Sequence, residues 1–226
     1  MRIPILCYHK VGPEQEEGRF LNIEPERLAS HARFFKRRGY RFVRAADLDF
    51  GSQGKTVCLT FDDAYTSTLT YGLQALQKEG VTATIYAVSS LIGKTSEWDG
   101  DRARPLADLK LLLSAQDAGF EIGNHSVSHP KFAELGQEDQ ARQITEAHEA
   151  FLSMGLKPGS FCFPYGSHNQ ASGHAVEKAG YRIGVILGTR IATEKDNPRL
   201  LPRVPIAFSH ALPMMIYRVF IRPYLP

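Results

Sequence analysis

Two adjacent carboxylates, Asp62 and Asp63, close the segment Lys55-Thr56-Val57-Cys58-Leu59-Thr60-Phe61, a β-branched and apolar run that reads as a buried strand. Side by side at a strand end, each acid raises the pKa of the other, a cost that a bound cation would relieve. With one aspartate on a divalent metal, the other is left to take a proton from water, which is the division of labour a hydrolase needs. On this stretch alone an equal reading has Asp63 capping a helix from about Thr66 to Lys78.

A second group, His125-Ser126-Val127-Ser128-His129, offers two imidazoles four residues apart. On a helical turn that spacing places both on one face, able to grip one ion. Alone the pair says little. Joined to the aspartates it makes a two-histidine, one-carboxylate set with positions open to water, as catalytic rather than structural metals have. Phe161-Cys162-Phe163-Pro164-Tyr165-Gly166 reads as a strand running into a turn.

These residues must be brought together by the elements between them. Strand-like runs at Ile3–Tyr8, Tyr40–Val43, Lys55–Phe61, Thr82–Val88, Phe120–Asn124, Ser160–Phe163 and Tyr181–Leu187 alternate with amphipathic segments. The helices are expected from Pro25 to Arg38, across Leu69, Leu73 and Leu76, across Leu106, Leu109, Leu112 and Leu113, from Glu138 to Met154 and from Gln170 to Ala179. Such alternation predicts parallel strands with outer helices, closed or partly closed into a (β/α) barrel whose strand ends share one face. Asp62, Asp63, His125, His129, Tyr165 and His9 would then converge on one mouth. The long loop Ser89–Arg104, which carries Trp98, is either a substrate rim or a packed flap.

Composition narrows the classes. With 226 residues, 43% hydrophobic and 23% charged, residues 1–226 fit a single α/β domain with one substantial core. The net charge of +3 is mild, and the one tight basic cluster, Lys36-Arg37-Arg38, reads as the solvated end of a helix, so no nucleic-acid partner is expected. Cys7, Cys58 and Cys162 lack the number and spacing of a disulfide framework or zinc knuckle and read as reduced or buried thiols. Neither a leader nor an apolar run of about 18 residues stands out, so the chain as written is expected to be cytoplasmic or membrane-peripheral. The tail Met214–Arg222 reads as a closing helix, or else as a membrane-surface helix with Arg218 and Arg222 at lipid phosphates.

In order and rough spacing, Thr60-Phe61-Asp62-Asp63, the His125–His129 group and the Phe161–Gly166 turn resemble the first three motifs of the polysaccharide deacetylases, carbohydrate esterase family 4. Tyr8-His9-Lys10-Val11 is similar to the branch acting on poly-N-acetylglucosamine and related exopolysaccharides. The resemblance implies a distorted (β/α) barrel and metal-dependent removal of N-acetyl groups from a hexosamine-containing polysaccharide, oligosaccharide or glycolipid. It implies Asp62 as general base and Asp63, His125 and His129 as metal ligands, with zinc expected and cobalt or nickel suited to the same set. The metal would polarise the amide carbonyl, the backbone N–H of Tyr165 would hold the oxyanion, and the Tyr165 ring would wall the pocket.

Two departures accompany it. Cys162 stands where many relatives carry an arginine that holds the base, and Arg203, in Leu201-Pro202-Arg203-Val204-Pro205-Ile206, is the candidate replacement. The late Leu-x-His motif that supplies a general acid is missing, and His9 is preferred to His210 for that role. Two other readings are an amidohydrolase acting on a small non-sugar amide or imide, and a saccharide-binding protein whose catalysis has lapsed.

Overall fold

Lys55–Phe61 forms the longest strand of the computed structural model, which describes residues 1–208 and 210–224. The main strands in chain order are β1 (Ile5–Tyr8), β2 (Tyr40–Val43), β3 (Lys55–Phe61), β4 (Thr84–Ala87), β5 (Glu121–Asn124), β6 (Ser160–Cys162), β7 (Ile183–Leu187) and β8 (Leu201–Pro205). All pair in parallel, and the order β3-β4-β5-β6-β7-β8-β1 returns from β1 to β3, closing a seven-stranded barrel. The barrel is distorted because β3 has three neighbours. β1 follows one edge, while β2 pairs with Lys55 to Cys58 on the other and β4 takes over at Thr60 and Phe61. The expected (β/α) barrel is therefore the fold observed.

Side chains alternate with the pleat. Val57, Leu59 and Phe61 of β3 face outward into the main core, with Leu6 and Tyr8 of β1 and Ile85 of β4. Cys58 instead belongs to the barrel interior, with Ile5, Tyr86, Cys162, Val185 and Leu201. Counting by twos, Cys7, Asp62, Cys162 and Arg203 follow the interior positions of their strands. Lower in the barrel, Glu121 accepts hydrogen bonds from Ser160 Oγ (2.7 Å), Thr84 Oγ1 (2.8 Å) and the Ala46 N–H (2.9 Å). A Cβ on Gly123 would come within 2.5 Å of the Tyr86 ring, so that glycine makes room for the ring in the interior.

Beyond the single turn Glu14–Glu17, the α-helices among the described residues are α1 (Pro25–Arg37), α2 (Leu73–Glu79), α3 (Leu109–Asp117), α4 (Gln137–Ser153), α5 (Ser172–Lys178) and α6 (Leu212–Ile216). Proline at the first turn opens α1, and Leu28, Ala32, Phe34 and Phe35 bury one face of it. Phe35 meets the half-buried Tyr40 and Phe42 edge-on at 5.1 and 6.5 Å, and full burial of a ring such as Phe35 stabilises the fold by roughly 1.5–3 kcal/mol.

Two expectations shift, and the closing-helix reading of the tail holds. Leu106 lies outside its helix, because Asp108 caps α3 by accepting the Leu111 N–H at 2.8 Å. The segment after the aspartates is not one α-helix, since Thr68–Gly72 is a wider π-type turn leading into α2. The tail is a closing element: α6 continues through a π-type turn, Tyr217–Ile221, with Met215 and Val219 buried and Phe220 about 6 Å from Phe34 and Phe35. Among the described residues, no helix is long and apolar enough to cross a membrane.

Candidate active site

The C-terminal ends of β1, β3, β6 and β8 place Cys7, Asp62, Cys162 and Arg203 around one point. Arg203 is fully buried and grips Asp62 with both terminal nitrogens, Nη1 to Oδ1 at 2.6 Å and Nη2 to Oδ2 at 2.7 Å. The remaining donors of the guanidinium reach Thr60 Oγ1 (2.9 Å), Cys162 Sγ (3.1 Å) and the Ile186 carbonyl (3.3 Å). A planar fork on a carboxylate fixes position and rotation together. The Cys7 thiol donates to Asp62 Oδ2 at 3.4 Å and the Cys162 thiol to Oδ1 at 3.5 Å. Burial works to raise the Asp62 pKa, but the charge and hydrogen bonds of Arg203 outweigh it and hold the carboxyl at about 2. All three cysteines are buried and free, and desolvation pushes the Cys7 and Cys162 thiols well up, so they remain protonated donors.

Asp63 turns the other way. Its φ of 71° and the 54° of Ala64 are left-handed values, and Ser126, His129 and Tyr165 share that region. Five of the six non-glycine residues with positive φ among those described thus sit in the three loops at this mouth, where strain persists because surrounding bonds over-determine it. The turn directs Asp63 Oδ1 to within 3.4 Å of His125 Nε2 and 3.1 Å of His129 Nε2. Asp63 does not act as a helix cap.

The histidines are not on a helix. Asn124 Oδ1 accepts the Ser126 N–H (2.8 Å), Ser126 Oγ accepts the His129 N–H (3.0 Å), and Gln143 of α4 accepts the N–H groups of Val127 and Ser128, both at 3.1 Å. Side-chain acceptors thus fold the loop so that four-residue spacing still brings two imidazoles together. The Pro164–Gly166 turn is similarly pinned. Gly166 has a φ of 65°, and a Cβ there would lie 2.6 Å from the Leu187 nitrogen. Tyr165 is left 48% exposed with its ring 4.6 Å from that of His129.

The donor set fits a divalent metal. His125 Nδ1 donates to the Cys162 carbonyl at 2.8 Å, which assigns the tautomer and leaves a lone pair on Nε2, facing Asp63. Asp63 Oδ1 is itself buried without a hydrogen-bond partner. A lone pair opposing a buried carboxylate oxygen is repulsive unless a cation lies between them, and these three ligand atoms lie within 4.8 Å of one another. Burial also lowers the His129 pKa despite the opposing pull of Asp63, keeping the imidazole neutral as ligation requires.

The other candidates separate cleanly. A ring nitrogen of His9 lies within 4.8 Å of Cys7 Sγ and an Asp62 carboxylate oxygen, and the Thr68 hydroxyl fixes its backbone by donating to the His9 carbonyl at 2.6 Å. His210 instead bonds to the Ala207 N–H (3.0 Å) and approaches Arg218 (3.3 Å). His31 meets the Tyr8 hydroxyl (3.1 Å), and His148 meets that of Tyr181 (2.7 Å). Sequence reasoning did not anticipate the thiol contacts, Gln143, or the stacking of Trp98 on His129 at 4.0 Å. Period-two counting along β1 and β6 could have found the thiols, whereas nothing local points to Gln143.

Comparison with known proteins bears on the fold and the family. A family model described as polysaccharide deacetylase matches residues 51–184. YxkH of Bacillus subtilis (strain 168), which carries a polysaccharide deacetylase name, is 24% identical over 213 residues, 91% of this chain and 72% of its own length. The Streptococcus pyogenes deacetylase PplD, solved with acetate, is similar with a TM-score of 0.79 at 20% identity, covering 96% of this chain and 98% of that one. IcaB from Ammonifex degensii is similar with a TM-score of 0.72 at 21% identity, covering 91% and 92%. At these identities the solved structures speak for the fold alone.

Proposed function

Since the chain belongs to the polysaccharide deacetylase family, we propose that it is a metal-dependent N-deacetylase acting on a hexosamine-containing glycan or glycolipid. The observation that carries this reading is the parting of two neighbouring carboxylates, Asp62 to a buried guanidinium and Asp63 to two imidazoles. Binding a saccharide has no need of both arrangements, whereas amide hydrolysis needs a base beside an electrophile. Arg203 also supplies the guanidinium whose absence from position 162 motivated a non-catalytic reading.

Asp63, His125 and His129 would hold the metal, zinc being the natural choice for this ligand set. When bound, it supplies Lewis acidity toward the acetyl carbonyl and makes water easier to deprotonate. Asp62, held at a fixed angle by Arg203, takes the proton of the attacking water. A carboxyl near 2 is a weak base, so its value lies in being ionised and correctly aimed at any physiological pH. His9, beside Asp62, gives a proton to the departing amine, which leaves poorly without one. Tyr165 supplies a backbone N–H toward the developing oxyanion and an exposed ring at the pocket wall.

The test is acetate release from N-acetylglucosamine oligomers by zinc-reconstituted protein, beside Asp62→Asn, with metal quantified in both. Release by the parent and loss of at least about 100-fold in a still-metallated Asp62→Asn are expected. Two metallated proteins that release acetate equally well would refute the base assignment, and a parent that never holds metal would refute the centre.

A further inference from the structure

A metal-binding imidazole is ordinarily oriented by a hydrogen bond from its second ring nitrogen to a carbonyl or carboxylate. His125 follows this pattern through the Cys162 carbonyl. His129 does not, for its Nδ1 is buried and has no hydrogen-bond partner. Two aromatic rings hold it instead. The Trp98 indole lies nearly parallel to the imidazole, 4.0 Å between centroids at 21°, and Tyr165 packs against it at 4.6 Å and 61°.

Trp98 is itself tethered. It sits in the turn Glu97–Arg102, where Asp99 accepts the Tyr65 hydroxyl (2.6 Å) and Ser96 Oγ (2.8 Å), and Ser96 Oγ accepts the Arg104 N–H (3.0 Å). Tyr65 follows Asp63 by two residues. The loop carrying the indole is thus tied to the strand end that carries the ligand carboxylate.

We propose that Trp98 is a positioning residue for the metal centre, its indole holding the His129 imidazole with Nε2 aimed at Asp63 in place of the missing hydrogen bond. This rests on reading Asp63, His125 and His129 as that centre. Trp98 is also the only tryptophan of the chain, so its emission reports directly on the ligand it touches.

The experiment measures zinc affinity by competition with a chromophoric chelator, and the visible spectrum of the cobalt-loaded protein, for the parent, Trp98→Phe, Trp98→Ala and Asp99→Ala. Circular dichroism of the metal-free forms confirms folding. Cobalt should quench the parent's emission in a saturable way. Trp98→Ala should bind zinc about 10-fold more weakly or worse, in the range for lost outer-shell partners, with an altered cobalt spectrum. Trp98→Phe, which keeps a ring to stack, should recover most of both. Asp99→Ala, which keeps the indole but cuts its tether, should weaken zinc in the same direction and carries the test if Trp98→Ala does not fold. Zinc affinity within about 2-fold of the parent in both alanine variants, with an unchanged cobalt spectrum, would overturn the role of Trp98. A parent that binds no metal would overturn the centre itself, and the two failures are told apart by the parent's own titration.

Discussion

Replacing Arg203 with methionine removes the guanidinium while keeping much of the side-chain volume, and leaves Asp62 as a buried, uncompensated anion. The ionised carboxylate is favoured in the folded state by the drop from its ordinary 3.8 to about 2, which corresponds to about 2–3 kcal/mol at neutral pH. That figure is already net of the burial penalty, so the guanidinium must contribute more, and about 3–5 kcal/mol should be lost when one partner of such a buried pair is deleted. The single variant Asp62→Asn should cost a similar amount, because it strands the arginine. The double variant has no charge to strand and should be little worse than either single, giving a coupling of about 3 kcal/mol. Urea unfolding of all four metal-free proteins at neutral pH measures this. The pair's contribution is complete above pH 3.8 and is lost as pH falls toward 2, through the depressed folded-state pKa. Costs that simply add, within about 0.5 kcal/mol, would refute the view that Arg203 exists to hold Asp62.

Acid should destabilise the fold well before that. Burial holds His31 neutral with its pKa lowered from 6.5 to about 4, so the unfolded chain takes up a proton first and up to about 3 kcal/mol is lost as pH falls from 6.5 to 4. His31→Gln should flatten that limb of a pH–stability curve, and an unchanged slope would count against it. Chelation should lower the melting temperature of the zinc-loaded protein by several degrees and leave metal-free Asp63→Asn unmoved, since only the folded state assembles the three ligands. Gly166→Ala must fit a Cβ 2.6 Å from the Leu187 nitrogen at a φ of 65°, and should cost about 1–3 kcal/mol by urea titration while cutting acetate release. Met215→Ala should cost about 2–5 kcal/mol, as expected of a core position, and the full chain should not co-sediment with anionic vesicles if the tail's apolar face is spent on α1.

The barrel was legible because alternating strand and helix signals recur along most of the chain, and the proposed base Asp62 and proposed ligands Asp63, His125 and His129 come from two short groups whose types suggest their chemistry. Arg203 was legible through a gap, since a small thiol at position 162 demands a guanidinium from elsewhere. The shape of the His125–His129 loop was not. Four-residue spacing suggested a helical turn, but the observed loop depends on Gln143, fourteen residues beyond His129. The start of α3 was missed because a leucine stripe outweighed a single Asp108 cap. Trp98 was visible as a residue without a role, because stacking between a long loop and a strand end leaves no periodic trace.

β1 is seated between β3 and β8, and this has a consequence for synthesis. β1 emerges before the other strands of the barrel yet can complete its pairing only when Leu201–Pro205 is available. Closure is a contact of high sequence separation, the kind that slows folding. A ribosome-bound chain lacking β8 already carries both aspartates and both histidines, but it has an open seam and no counterion for Asp62. Pulse proteolysis of arrested chains of increasing length should show protection appearing abruptly once β8 clears the exit tunnel. Competence for the proposed reaction thus arrives only with β8, the last strand to join the barrel.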